Sequence, residues 1–409
     1  MSGIKTLVEL YDVCKVCNII SGYHFNPDKI IYLCFDNEIT EGVCDARRFF
    51  KKYALDVKTE YIKVNRFDYE GMCATLERVV KENEDVVFDL TGGGELLLTA
   101  MGAVGEKFNI PMIQYNVKRC SLVRVKNTQD IQEPERKTLD IEGCITLNGG
   151  AVVGKEKTIC PDNINKPFVN IIKMLWQICS GNPQEWNKQT NSFSRLERFT
   201  DNYDSLRITF DMSSFPEEDR KSLFNDRIIK RLIDIGVFSE FKTKGDIISY
   251  RYKNANIKRC ILKAGNILEL YTFIVACEVM KKCPEEINDV AAGVILDWDG
   301  EVHDVKKNVT DIRNEVDVML AKGLNPVFVS CKNGEVHKEA LYELDTVSDH
   351  YGGKYSGKIL VSTYVSTDAG SRSYIIKRAE EMNIRTITDV DKMSYEEFYK
   401  KLRIALLGC

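Results

Sequence analysis

The chain has 409 residues, a formal net charge of −4, 44% hydrophobic residues and 29% charged residues. This composition is ordinary for a folded protein and excludes a chain dominated by disorder. The length predicts two or three domains, and the acidic balance argues against a protein that coats nucleic acid through bulk positive charge. A local basic groove remains compatible with that balance.

The N-terminus lacks the basic and apolar pattern of a signal peptide, and no run approaches the roughly 18 apolar residues of a membrane span. We therefore expect a cytoplasmic protein that does not contact a membrane. The 14 cysteines of such a chain are expected to be reduced thiols. Cys14 and Cys17 form a CxxC pair, which we interpret as structural because no second pair has the spacing of a zinc site.

The first 116 residues alternate strand-like runs with helical patterns, such as those at Cys44 to Lys52 and Gly71 to Asn83. Strands are predicted at Lys5 to Leu10, Lys29 to Phe35, Lys58 to Lys63, Val86 to Leu90 and Pro111 to Tyr115. This order predicts a parallel, doubly wound, Rossmann-like sheet. Ligands bind such sheets beyond the carboxyl ends of the strands.

The sequence Thr91-Gly92-Gly93-Gly94 stands at that position, between the strand that ends at Leu90 and an apolar helix. Glycines there let the backbone approach a ligand closely and leave the first helical N–H groups free for phosphate. The pattern is neither GxGxxG nor Walker A, which argues against a dinucleotide cofactor or ATP. The structural alternative is a glycine turn that only reverses the chain.

The middle of the chain is less regular. Residues 117–160 contain the β-like pieces LVRVKN and CITLNGGAVV, residues 166–180 form an amphipathic helix, and the polar stretch Gly181 to Ser194 indicates a loop. A helix at Asp219 to Ile235 is followed by β-like runs at Asp246 to Tyr252 and Lys258 to Lys263. This order resembles a winged-helix module, and we favour a connector over a DNA-binding unit because aromatic and basic residues do not alternate.

The last part begins with a helix at Asn266 to Lys281, and its remaining elements predict a mixed sheet flanked by helices. Strands are predicted at Ala292 to Trp298, Val316 to Leu320, Pro326 to Val329, Ile359 to Thr363 and Arg385 to Thr388. Helices are predicted at Lys338 to Ser348, Ser371 to Asn383 and Ser394 to Leu407.

Two of these strands, in NEVDVMLAKGLNPVFVSCK, flank a Gly-Leu-Asn turn and should form a hairpin that brings Asp317 and Lys332 together. Asp317 interrupts an apolar strand, where a charge is costly without a partner, and Glu315 lies on the same face. Glu269 lies in the apolar context ILELYTF. Carboxylates that hold a divalent cation beside a lysine are the parts of a metal-dependent phosphodiesterase. The structural alternative is that Glu269 and Glu315 are surface charges.

These residues resemble a known family. The C-terminal part is similar to PD-(D/E)xK nucleases, in particular those joined to an N-terminal CARF domain in type III CRISPR-associated ancillary nucleases. The resemblance rests on three motifs besides Asp89-Leu90-Thr91-Gly92-Gly93-Gly94. They are Ala264-Gly265-Asn266-Ile267-Leu268-Glu269, Asn314-Glu315-Val316-Asp317 and Ser330-Cys331-Lys332.

The resemblance implies an α/β protein with a CARF domain at 1–160, a winged-helix-like connector at 161–260 and a restriction-endonuclease-like mixed sheet at 261–409. It further implies a homodimer activated by cyclic tetra-adenylate that cleaves DNA and/or RNA with Mn²⁺ or Mg²⁺. The implied ligand-binding residues are Asp12, Val13, Cys14, Thr91, Gly92, Gly93 and Gly94. The implied catalytic residues are Glu269, Glu315, Asp317, Ser330 and Lys332, with Glu269, Asp317 and the Cys331 carbonyl as metal ligands.

Ser330 departs from the family pattern, because a carboxylate usually stands at that position. Metal binding would then rest mainly on Asp317 and Glu269, while Lys332 keeps its role of stabilising charge. Two alternatives follow. One is a CARF-type ligand-sensing DNA-binding regulator with an inactive nuclease domain, and the other is a sensor domain that degrades its own ligand.

Overall fold

The structure is a computed structural model that describes residues 4–35, 39–263, 265–298 and 312–408. Ala264, the first residue of one motif above, lies outside the described residues. The chain forms two six-stranded sheets and one three-stranded sheet, all flanked by helices. The predicted α/β fold class is therefore confirmed.

The N-terminal sheet has the predicted doubly wound order, with five parallel strands and one antiparallel edge strand. In spatial order the strands are β3 (Lys58–Lys63), β2 (Lys29–Cys34), β1 (Thr6–Leu10), β4 (Val86–Asp89), β5 (Met112–Asn116) and β6 (Ser121–Lys126). Its helices are α1 (Ile20–Phe25), α2 (Ile39–Lys52), α3 (Tyr69–Glu82) and α4 (Glu95–Phe108). The central strands β1 and β4 are buried throughout, as expected for a sheet covered on both faces.

Three predictions for the middle of the chain are wrong, and each segment is a capped helix. The β-like CITL belongs to α5 (Ile141–Leu147), the loop at Gly181 to Ser194 is α7 (Pro183–Leu196), and the strand at Lys258 to Lys263 is α10 (Ala255–Leu262). The side chains of Asp140, Asn182 and Asn254 accept hydrogen bonds from the first-turn N–H groups of these helices. Capping and the burial of one helical face outweigh the local β propensity or polarity.

A three-stranded antiparallel sheet lies between the two larger sheets in the sequence. It contains β8 (Arg207–Asp211), β10 (Ile247–Tyr252) and β9 (Phe238–Lys244), in that order. The accompanying helices are α6 (Lys166–Cys179), α8 (Glu217–Leu223) and α9 (Asp226–Asp234). The predicted wing is only partly right, because β10 matches the β-like run at Asp246 to Tyr252 but pairs with β9, which the sequence analysis did not predict. The helix predicted at Asp219 to Ile235 is divided into α8 and α9.

The C-terminal sheet is mixed, as predicted, and its central strands form the expected hairpin. In spatial order the strands are β15 (Arg385–Ile387), β14 (Gly357–Ser362), β13 (Asn325–Lys332), β12 (Arg313–Lys322), β11 (Asp289–Asp297) and β7 (Ala151–Val153). Its helices are α11 (Asn266–Lys282), α12 (Lys338–Gly352), α13 (Ala369–Glu381) and α14 (Tyr395–Leu407). Strand β7 joins this sheet from before residue 160, so the sheet draws on a segment that we assigned to the N-terminal domain.

Each face of the C-terminal sheet packs against a different hydrophobic core. On one face, Val318 and Val329 pack against α11 and the middle helices, where Trp176 stacks on Tyr271 with ring centroids 4.8 Å apart. On the other face, Met319 and Phe328 share a core with residues of α1 and α2. The sheet is therefore continuous, through side-chain packing, with both preceding parts of the chain.

Among the described residues, no single helix is long and apolar enough to span a membrane. The bent pair α10 and α11 would reach that length and composition together. Nearly all of α11 between Ile267 and Val279 is buried inside the protein.

Candidate functional site

The first part of the site is the end of the β12–β13 hairpin. Gly323 makes the tight turn with φ +65°, and Val318 lies opposite Val329. One residue further along, the Asp317 carboxylate accepts a 2.7 Å hydrogen bond from the Cys331 backbone N–H. The Ser330 hydroxyl lies 3.5 Å from the same carboxylate oxygen. Asp317 is thus fixed by the neighbouring strand at the place where the sequence predicts it.

The second part is Glu269, in the first turn of α11 and only 6% exposed. A Cβ on Gly265 would lie 2.9 Å from a Glu269 carboxylate oxygen, so a glycine at this position leaves room for the acid. Glu269, Glu315, Asp317 and Lys332 all line one cavity of about 430 Å³. The structure therefore brings together the four charged residues that the sequence singled out.

Burial sets the electrostatics of this cavity. Burial, together with the nearby charge of Asp317, raises the pKa of Glu269 to about 7, and Lys263 opposes this shift. Burial also raises the pKa of Asp317, against the hydrogen bond from Cys331 and the charge of Lys332. Two buried carboxyl groups that repel each other favour the arrival of a cation.

Lys263 is a site residue that sequence reasoning missed. Its ammonium group lies 3.1 Å from Glu315 and 3.7 Å from Glu269, and it lines the same cavity. Burial lowers its pKa, but Glu269 and Glu315 raise it more strongly overall. The wrong strand prediction over Lys258 to Lys263 hid this position, because it did not place the residue beside the start of α11.

The residues present fit a hard divalent cation, which prefers oxygen ligands. Glu269 and Asp317 supply carboxylates, and the Cys331 carbonyl belongs to the same strand end. Burial raises the pKa of the Cys331 thiol well above its usual range, so this sulfur does not act as a thiolate ligand. Over the described ranges, no group of three His, Cys, Asp or Glu side chains is arranged for a metal.

A second cavity, of about 400 Å³, adjoins the first and shares Glu269 and Glu315 with it. Its wall carries side-chain amides, one aromatic ring and one guanidinium group: Asn163, Asn165, Asn256, Asn266, Phe168 and Arg259. These groups come from the middle helices as well as from α11. The charged cavity therefore continues into a polar one that sequence reasoning did not predict.

The other predicted site lies at the carboxyl ends of β1 and β4. Asp12 does not present a free carboxylate there: one oxygen accepts the Cys14 N–H and the other accepts the Gly93 N–H, both at 2.7 Å. Thr91 is likewise used internally, because its hydroxyl donates to Asp89 and accepts from the Tyr115 N–H at 2.7 Å. Both side chains fasten the loops to each other.

The other predicted ligand-binding residues include the glycines and Val13, which differ in exposure and in the space around them. Gly93 has φ +104°, and a Cβ there would lie 2.4 Å from the Leu10 Cβ. Gly94 is the N-cap residue of α4 and makes no side-chain hydrogen bond to the helix, and it has open space around it. Val13 is 85% exposed. The two predicted loops are thus joined through the Asp12 carboxylate, while Val13 and Gly94 have open space around them.

Helix α12 lies between the two sites. Glu343, Leu344 and Val347 from its middle line the charged cavity. The turn after its C-terminus places the Tyr355 hydroxyl within hydrogen-bonding distance of the Cys17 thiol, beside the first loop. Helix α12 and the turn that follows it therefore connect the surroundings of the two sites.

The fold and site define a class: a Rossmann-like α/β sheet joined to a mixed sheet that carries a buried acidic pair and a lysine. No protein-family model matches the chain, and no curated protein matches its sequence. Among solved structures, the chain is similar to protein VC1899 from Vibrio cholerae, with 14% identity, a TM-score of 0.74, and coverage of 99% of this chain and 98% of that one.

The chain is also similar to Can2 from Sulfobacillus thermosulfidooxidans, solved in complex with cyclic tetra-adenylate. The identity is 14% and the TM-score 0.69, with 97% of this chain and 98% of that chain covered. At this identity the likeness establishes the fold alone. A type III CRISPR defence DNA nuclease activated by cyclic oligoadenylate matches with a TM-score of 0.45, over 90% of this chain and 46% of that one. A score this low does not establish a common fold.

Proposed function

We propose that this protein is a cyclic oligoadenylate-activated, divalent-metal-dependent nuclease that cleaves DNA and/or RNA in type III CRISPR antiviral defence. The observation that carries the proposal is that buried Glu269 and half-buried Asp317 line one open cavity together with Lys332. The fold shared with Can2, which was solved with cyclic tetra-adenylate, supports the choice of activator.

The activator would bind at the loops after β1 and β4. Asp12 holds these loops together, and the glycines let the backbone come close to the ligand. Phosphate groups suit the N-terminus of α4, whose first N–H groups lack a side-chain cap. We further propose that two copies form a homodimer and that the chain is divided into CARF, connector and nuclease parts, with β7 belonging to the nuclease part.

In the charged cavity, Glu269 and Asp317 would hold Mn²⁺ or Mg²⁺ together with the Cys331 carbonyl. When bound, the cation supplies Lewis acidity and a more acidic water molecule. Lys332 stabilises the negative charge that develops on the phosphate, and Ser330 keeps the Asp317 carboxylate in place. The adjoining amide-lined cavity is suited to the nucleotide next to the cleaved bond, because amides pair with base edges and Phe168 offers a stacking surface.

Cleavage of plasmid DNA and single-stranded RNA, with Mn²⁺ and with or without cyclic tetra-adenylate, tests the proposal. We expect ligand-dependent cleavage by the wild type and a loss of roughly 100-fold or more in Lys332→Ala and Asp317→Asn. Lys400→Ala, which changes an exposed lysine of α14, should cleave normally. If the wild type leaves every substrate intact under all these conditions, the nuclease proposal fails.

The second candidate is a ligand-sensing DNA-binding regulator with an inactive nuclease domain. The observation that favours it is Ser330, whose hydroxyl occupies the place next to Asp317 where a third carboxylate would help to hold a metal. Specific DNA binding without cleavage by both the wild type and Lys332→Ala would establish this alternative. Disappearance of cyclic tetra-adenylate over time would instead show that the sensor domain degrades its ligand.

A further inference from the structure

The CxxC pair lies in the first ligand loop rather than in a separate structural element. Cys14 precedes a short 3-10 turn at Lys15–Asn18, which contains Cys17. The Cys17 N–H donates to the Cys14 carbonyl at 2.9 Å, so this turn brings the two cysteines close together. Both cysteines are free thiols in the structure. Two reduced cysteines therefore lie on one tight turn, at the spacing of a CxxC redox pair.

The two thiols differ in their surroundings. Cys14 is half-buried, whereas Cys17 is only 5% exposed. The hydrogen bond from Cys17 lowers the pKa of Cys14, and the nearby Lys354 ammonium lowers it further against the effect of burial. The same pairing raises the pKa of Cys17. An accessible thiol with a lowered pKa beside a buried partner is the arrangement of an attacking and a resolving cysteine.

Both cysteines are connected to the glycine turn. The Cys14 N–H and the Gly93 N–H donate to opposite oxygens of the Asp12 carboxylate. A Cβ on Gly92 would lie 3.0 Å from the Cys17 Cβ, so these two residues are in close contact. A change in the Cys14 backbone or the Cys17 side chain must therefore displace the walls of the predicted ligand surface.

We propose that Cys14 and Cys17 form a reversible disulfide by exchange with a low-molecular-weight disulfide, and that this modification weakens ligand binding at the Gly92–Gly94 turn. The modification itself is independent of the proposed function, whereas its effect on cyclic oligoadenylate rests on that function.

The exchange balances without any further oxidant. The Cys14 thiolate attacks one sulfur of the small disulfide, forms a mixed disulfide and releases one thiol. Cys17 then loses its proton and attacks the Cys14 sulfur, which releases the second small thiol. Two protein thiols are oxidised, and one small disulfide is reduced to two thiols.

The test uses the full chain equilibrated in reduced or in oxidised glutathione, followed by maleimide labelling and peptide mass analysis. We expect the oxidised sample to lose two labels and to yield a Cys14–Cys17 cross-linked peptide. Cys14→Ser and Cys17→Ser should abolish this peptide, whereas Cys73→Ser, a half-buried cysteine in α3, should keep it. Thermal melts of the reduced variants confirm that each one folds.

Two measurements test the effect of the disulfide on the Gly92–Gly94 turn. Hydrogen exchange of the Gly93 amide should become faster on oxidation, and cyclic tetra-adenylate should bind about tenfold more weakly, with neither change in Cys14→Ser. The proposal is overturned if both thiols stay labelled in oxidised glutathione, or if the disulfide forms and Gly93 exchange is unchanged. If the reduced protein binds no cyclic tetra-adenylate, the proposed activator is wrong, and the Gly93 amide still decides this inference.

Discussion

A buried carboxyl group is costly to ionise, and for Glu269 the size of this cost depends on the charged groups around it. The side chain is 6% exposed and faces Asp317 across the cavity, with Lys263 at 3.7 Å as the partner on the other side. Ionisation without a metal therefore brings two carboxylates together, and the ammonium groups of Lys263 and Lys332 offset their repulsion only in part. The repulsion between these carboxylates lowers the stability of the metal-free protein, but it leaves a set of oxygen ligands in place for a cation.

This cost predicts a pH-dependent effect of Glu269→Gln. Because the folded-state pKa is about 7 and the ordinary value is 4.5, the native protein keeps a proton that the unfolded chain releases, and stability falls as pH rises between these values. The metal-free variant should be more stable than the wild type by about 3 kcal/mol at pH 8 and nearly equal to it at pH 4.5. Urea unfolding in EDTA measures this difference.

The matched control is Glu315→Gln, because the Glu315 side chain is about half exposed. It should change the free energy of unfolding by less than about 1 kcal/mol at either pH. A Glu269→Gln variant that is less stable than the wild type at pH 8 would contradict the assigned electrostatics.

Lys263 supplies the second prediction at this scale. Its ammonium contacts two carboxylates that a metal would also approach, so Lys263→Met should bind Mn²⁺ about two- to fivefold more tightly than the wild type. Calorimetric titration with Mn²⁺ measures the affinity without any substrate. Lys281→Met, on the exposed end of α11, should leave it unchanged. Weaker binding in Lys263→Met would show that the lysine supports the metal site instead.

At the scale of elements, the turn between β4 and α4 shows why a run of three glycines need not have three equal roles. Gly93 has φ +104° and touches Leu10, whereas Gly94 has an ordinary extended backbone and open space. Gly93→Ala should therefore lower the free energy of unfolding by roughly 2 kcal/mol, through strain and the clash with Leu10.

Gly94→Ala is the matched control for Gly93→Ala and should stay within about 0.5 kcal/mol of the wild type. Chemical denaturation of the two variants in parallel separates backbone strain from a general intolerance of side chains in the turn. Equal losses in both variants would contradict the assignment of strain to Gly93.

The elements also show what the sequence could and could not reveal. The β12–β13 hairpin was predictable because a turn signal separates two apolar strands, and this register brings Asp317 beside Ser330 and Cys331. Helices α7 and α10 were not predictable, because their N-caps and buried faces stabilise a helix only when the neighbouring core is present. Lys263 was missed for that reason, and so was the internal use of the Asp12 and Thr91 side chains, which depends on contacts between distant loops.

At the scale of the whole molecule, the N-terminal and C-terminal sheets share one hydrophobic core, and β7 belongs to the C-terminal sheet. We therefore predict that these two parts unfold in one cooperative transition. Residues 1–160 expressed alone should lack a cooperative melt, because Val152 and the buried side chains of α5 lose their partners. Calorimetry of the full chain and of this fragment measures both, and two separate transitions in the full chain would contradict the prediction.

The outer strands of the described sheets carry a consequence for association between copies. Both edges of the C-terminal sheet, β7 and β15, are only three residues long, and the N-terminal edge strand β3 exposes Lys58, Glu60 and Lys63. Short or charged edges resist pairing with strands of another chain. Strand pairing between two copies is therefore not expected at these three edges.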